Sequence, residues 1–97
     1  MIKSFVLNNG FRIIGEITLE NTDAFDMKNV IVYNFQDSGQ GMAVNFGAFA
    51  PEAVDGEIRF YKSAITAQFA PDKNILDHYK QMFGHIVTAD PKLQMLN

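Results

Sequence analysis

The feature that most constrains this chain is Asn8-Asn9-Gly10, three residues tolerant of positive φ set between two apolar runs. Such a triplet is the strongest short-range signal for a β-hairpin, because a tight turn that matches the twist of its strands needs left-handed backbone. Phe5–Leu7 therefore reads as a first strand. On the far side, Phe11, Ile13, Gly15, Ile17 and Leu19 alternate with Arg12, Ile14, Glu16, Thr18 and Glu20. This is the period of two expected of a second strand with one wet face. Gly15, in its middle, is the expected corner, since a small barrel needs a point where a strand can coil sharply.

The remaining chain extends the same reading. Asn21-Thr22-Asp23 ends the second strand, and Met27–Phe35 carries the β-branched and aromatic run Val30-Ile31-Val32-Tyr33, a third strand that is mostly buried. Gln36–Gly41 is a polar turn, Met42–Ala50 is extended, and Pro51–Gly56 is a loop. Glu57–Tyr61 and Ala64–Phe69 are two more short strands, with Lys62-Ser63 between them. From Pro71 the period changes. Ile75, Leu76, Tyr79, Met82 and Phe83 fall on one stripe of an amphipathic helix, started by Pro71 or Asp72 and stopped by Gly84, with the stripe packed over the open end of the sheet. Residues 85–97 read as an irregular tail or a short edge strand.

A length of 97 residues leaves room for one domain. With 47% apolar and 20% charged residues it is neither disordered nor membrane-spanning in composition, and no apolar run approaches the roughly 18 residues a spanning helix needs. The segment Met1–Phe5 lacks the pattern of a secretory signal, which sets the expectation of a cytoplasmic protein. The absence of Cys excludes disulfides, thiolate metal sites and a Cys nucleophile. A net charge of −3 argues against coating nucleic acid through bulk electrostatics, so any such site must be local.

Two segments carry a likeness to a known family. Ser4–Ile17, with its turn glycine and the glycine of the second strand, followed by Asp23-Ala24-Phe25, is similar to the first motif of the Sm/LSm proteins. Phe60–Thr66 is similar to the Tyr-Lys-His-Ala-Ile-Ser segment of the bacterial Sm-like RNA chaperone Hfq, a branch of that family. The run Met42–Pro51, followed by a strand and a Pro-led helix, also resembles small Sm-like proteins of tailed phages that infect marine cyanobacteria, which implies a phage origin. The chain departs from the chaperone in lacking its N-terminal helix, in a longer connection before Glu57, in Asp26-Met27-Lys28 after Phe25, and in Ser63 where the chaperone has His. The resemblance implies a strongly bent five-stranded antiparallel sheet, a small open barrel here followed by a helix. It also implies a homo-oligomeric ring of about five to seven copies, in which strand 57–61 pairs with the last strand of the next subunit.

On that basis Lys62 and Ser63 would line a pore, Phe25 would stack on a single-stranded base, and Asp23 would orient its loop by hydrogen bonding to backbone. Asn29 and Tyr61 are the further polar and aromatic candidates nearby. Each has a plainer reading: Lys62 as a surface hairpin cation, Phe25 as core, Asn29 as an ordinary strand residue, Tyr61 as a subunit contact. Glu20, Asp23 and Asp26 form a carboxylate cluster that could bind Mg²⁺ or do acid–base work, but no partner base, His or glycine-rich phosphate loop accompanies it. His78 and His85 read as surface residues separated by the end of the helix, and Gly39-Gln40-Gly41 lacks the following helix of a phosphate cradle. The expectation is a non-catalytic ring without cofactor, metal or membrane, binding single-stranded RNA or DNA. A structural or assembly ring that binds a phage or host protein is the competing reading.

Overall fold

The Asn8-Asn9-Gly10 turn does form a hairpin. In the computed structural model, which describes residues 1–88, β1 (Ile2–Leu7) and β2 (Arg12–Glu20) pair antiparallel from Ile2↔Glu16 to Val6↔Arg12. Gly10 takes φ +92° and donates its N–H to the Leu7 carbonyl, while the Asn9 carboxamide accepts from the Phe11 N–H. Four further strands follow: β3 (Ala24–Asp37), β4 (Met42–Ala48), β5 (Glu57–Tyr61) and β6 (Ile65–Phe69). They make one antiparallel sheet in the order β4-β3-β2-β1-β6, with β5 also on β3. The sheet is not closed, since β5 and β6 do not pair with each other.

β3 begins at Ala24, three residues before the expected Met27. Its first half pairs with β5, from Ala24↔Tyr61 to Lys28↔Glu57, and its second half with β4, from Ile31↔Ala48 to Asp37↔Met42. Segment 24–28 lies between β2 and a second partner, β5, that is 29 to 37 residues downstream, where no local pattern can reveal it.

Irregularities in register decide which face each side chain occupies. Between Ile14↔Ile31 and Glu16↔Lys28, β3 carries one extra residue, at Asn29 with φ +54°, a left-handed backbone that Asn tolerates better than most residues. The bulge reverses the alternation of β3, so Phe25 and Met27 share a face with Val30. Gly15 lies opposite, and a Cβ there would approach the Met27 methyl to 2.9 Å and the Lys28 carbonyl to 3.2 Å. The expected corner is therefore a close approach of two strands. A second bulge, between Ile17↔Met27 and Leu19↔Asp26, places an extra residue in β2.

The core has two parts. Phe5, Leu7, Ile13, Phe25, Met27, Val30 and Phe60 fill one face of the sheet, with Phe49, Ile58 and Ile65 against them. The expectation of one wet face on β2 fails at its centre. Ile14 is fully buried on the other side with Ile31, Tyr33, Ile75 and Tyr79. The cover is α1 (Lys73–Thr88), which lies on this second face of the central strands instead of across the open end of the sheet. Asp72 caps it by accepting the Ile75 N–H at 2.9 Å, and Tyr79 donates its hydroxyl to the Asn29 carbonyl at 2.7 Å. Gly84 does not stop the helix, which continues to Thr88. An interior glycine costs only about 1 kcal/mol relative to alanine, less than the packing of the apolar stripe contributes. Residues 85–88, expected to be irregular, are therefore helical, and the rest of the expected tail lies outside the described residues.

Candidate functional site

A cleft of about 250 Å³ opens on the Phe25 face of the sheet beside β6, and Glu20, Phe25, Lys62, Ile65, Thr66 and Gln68 line it. Three local features of the backbone build it. After the β2 bulge the alternation shifts, so Glu20 stands opposite Phe25 on the same face while Leu19 turns to the other and is 54% exposed. A single 3-10 turn at Lys62–Ala64 joins β5 to β6. A third bulge, at Thr66 between the Val6↔Ala67 and Leu7↔Ile65 pairs, kinks β6 against β1. Bulges recur beside binding sites because they redirect single side chains without ending a strand.

The Lys62 ammonium stands 2.9 Å from a Glu20 carboxylate oxygen and 5.0 Å from the centre of the Phe25 ring. Both charged side chains remain partly open to solvent, at 36% for Lys62 and 55% for Glu20. An exposed ion pair contributes about 0–1 kcal/mol and an exposed cation–π contact about 0.5–1 kcal/mol, so the Lys62 lid over the ring is held weakly. Phe25 itself packs against Phe5 at 5.0 Å between ring centres and is only 5% exposed. It lies in strand β3, not in the loop where the sequence placed it, and serves the core as well as the floor of the cleft.

The other candidate residues are not assembled with this pair. Asp23 is exposed, and its backbone carbonyl accepts the Lys62 N–H at 2.8 Å. The loop is ordered by Asn21, whose side-chain oxygen accepts the N–H groups of Asp23 and Ala24, so the role expected of Asp23 belongs to Asn21. Ser63 is exposed, and its carbonyl accepts from the Asn8 carboxamide at 2.7 Å, while Thr66 donates its hydroxyl to the same Asn8 side chain. The first hairpin turn thereby holds the turn that carries Lys62. Asn29 sits at its bulge under Tyr79, and Tyr61 is 58% exposed on β5; neither lines the cleft.

Thr66 and Gln68 escaped the sequence reading, which weighed Glu20 only as a member of an acidic cluster. Strict alternation puts Glu20 on the wet face, and only the bulge before it, which has no signature in the residues, turns it inward. The acidic cluster is divided among separate partners: Glu20 pairs with Lys62, and Asp26 makes a two-pronged bond to Arg59 across β3 and β5 at 2.7 and 3.1 Å. The Arg59 hydrogen bond holds the Asp26 carboxyl below its ordinary value. Among the described residues no three acidic or His side chains gather as a metal site, and no helix is long and apolar enough to cross a membrane. His78 lies on α1 against Phe46, and His85 belongs to the same helix. No protein-family model and no curated protein matches the chain.

Proposed function

We propose that this protein is an Sm-like, ring-forming, non-catalytic binder of single-stranded nucleic acid, acting in RNA or DNA processing. The observation that carries the reading is the Phe25–Lys62–Glu20 cleft: an aromatic floor beneath a cation, at the turn joining the last two strands. Stacking of a base on an aromatic side chain contributes about 1–3 kcal/mol, comparable to or larger than what the exposed ion pair and cation–π contact would give up. The strand order supports the Sm-like assignment. β6 pairs with β1, β1 with β2 and β2 with β3, and β4 and β5 together occupy the place of one long strand beyond β3. The outer edges of β5 and β6 have no strand partner among the described residues, as head-to-tail closure into five to seven copies requires. A cytoplasmic site of action, in a host bacterium if the chain is phage-encoded, belongs to the same proposal.

Fluorescence anisotropy with U-rich and A-rich RNA and DNA strands, at low and moderate salt, tests it. Saturable binding that weakens on Lys62→Ala and Phe25→Leu is the expected result. Phe25→Leu is the informative variant because Phe25→Ala would open the core, at about 3–5 kcal/mol. One observation favours an assembly ring for a phage or host protein instead. Glu20 neutralises Lys62, and the chain carries a net charge of −3, so a pore rim would offer phosphate little attraction. An intact oligomer that binds none of the strands would establish that second reading.

A further inference from the structure

We propose that the cleft selects guanine, with Glu20 as the residue that determines specificity; this rests on the nucleic-acid reading above. A carboxylate lining the cleft is a poor choice for meeting a phosphate backbone, since the two anions repel. It is a strong choice for meeting a base edge. Ionised Glu20 offers two acceptor oxygens and no donor, and Lys62, 2.9 Å away, offers donors and no acceptor. The edge that complements this pair presents two neighbouring N–H donors followed by an acceptor. Guanine has that order: N2–H and N1–H face the two carboxylate oxygens, and O6 faces the ammonium. Uracil presents a single N–H between two carbonyls, so one Glu20 oxygen would face a carbonyl oxygen. Adenine and cytosine each present one donor beside a ring nitrogen lone pair, which would face the second carboxylate oxygen in the same way.

The exchange is balanced in hydrogen bonds. On binding, Glu20 trades the Lys62 ammonium for two base N–H groups, and Lys62 trades Glu20 for O6, so neither charge is left unpaired in the cleft. Both side chains are exposed enough to be reached, and Phe25 beneath them supplies the stacking surface once the ammonium moves off its ring. Gln68, exposed at the rim, adds a carboxamide that can either donate or accept. Charge-assisted hydrogen bonds of this kind are about twice as strong as neutral ones. This allows base selectivity in a protein whose net charge would otherwise disfavour nucleic acid.

The test compares three labelled uridine-rich strands that differ at one central position: guanosine, inosine, which lacks the N2 amino group, or uridine. Their affinities are measured with wild-type protein, Glu20→Gln and Glu20→Asp, with light scattering of each variant to follow the oligomer. The guanosine strand is expected to bind about tenfold more tightly than the other two. Glu20→Gln is expected to abolish that preference without changing the mass, and Glu20→Asp to keep part of it. Equal affinity for the three strands, or a preference that survives Glu20→Gln, overturns the guanine assignment and leaves nucleic-acid binding standing. Absence of saturable binding to any strand overturns both. GMP that displaces the guanosine strand at equal concentration keeps the base chemistry but makes the ligand a free nucleotide.

Discussion

Asn29 joins the two parts of the core through its backbone alone. Its left-handed conformation (φ +54°) inserts the extra residue that brings Val30 to the Phe25 face and Ile31 to the helix side, and its carbonyl receives the Tyr79 hydroxyl. The side chain does not line the cleft; what the position requires is tolerance of positive φ. Asn29→Gly should therefore leave the midpoint of urea unfolding nearly unchanged. Asn29→Val, which places a β-branched residue in a region where L side chains crowd the backbone, should lower stability by about 1–2 kcal/mol. Equal effects of the two substitutions would show that the Asn side chain matters for another reason. Glu20 shows the same principle at the site: its chemistry is plain in the sequence, and its orientation depends on a bulge two residues earlier.

Between elements, the pairing of β3 with β5 holds the cleft in place, because it fixes the end of β5 from which Lys62 departs. Asp26 and Arg59 clasp this pair on its outer side. The Arg59 hydrogen bond lowers the Asp26 carboxyl below the 3.8 of an unperturbed Asp, so the folded state prefers the ionised form. The sign follows from linkage: the contribution is present above the ordinary value and is lost as pH falls through the lowered one. Unfolding followed from pH 6 down to pH 2 should therefore show wild type losing more stability than Asp26→Asn in the acid limb, with the two converging at the lowest pH. Parallel acid limbs would mean that the pair is too well solvated to matter. The helix is the other decisive element. Ile75 and Tyr79 bury Ile14 and Ile31, turning a strand that reads as half wet into one buried on both faces at its centre.

At the scale of the molecule, β5 and β6, each paired on one edge only, lie to either side of one 3-10 turn. Backbone donors and acceptors along an unpaired edge invite pairing with another chain, and the head-to-tail arrangement closes when the rotation per subunit divides a circle. Size-exclusion chromatography with light scattering at micromolar concentration should give a single species of about five to seven copies. A monomer at that concentration would remove the ring, and with it the repetition of Lys62 around a pore.

The sequence by itself determined the hairpin at Asn8-Asn9-Gly10, the strand 57–61 and the existence and apolar stripe of the helix, whereas the corner it placed at Gly15 is a close approach of two strands. The hairpin, strand and helix each rest on residues near one another in the chain: turn-forming residues, a period of two, a period of 3.6. It also singled out Phe25 and Lys62, which the fold does bring together. Only the tertiary structure decided where β3 begins, which face Glu20 and Ile14 occupy, whether Gly84 ends the helix, and which residues complete the cleft. Those outcomes depend on partners distant in sequence and on single-residue bulges. One extra residue exchanges the two faces of a strand, and nothing in the local composition records it.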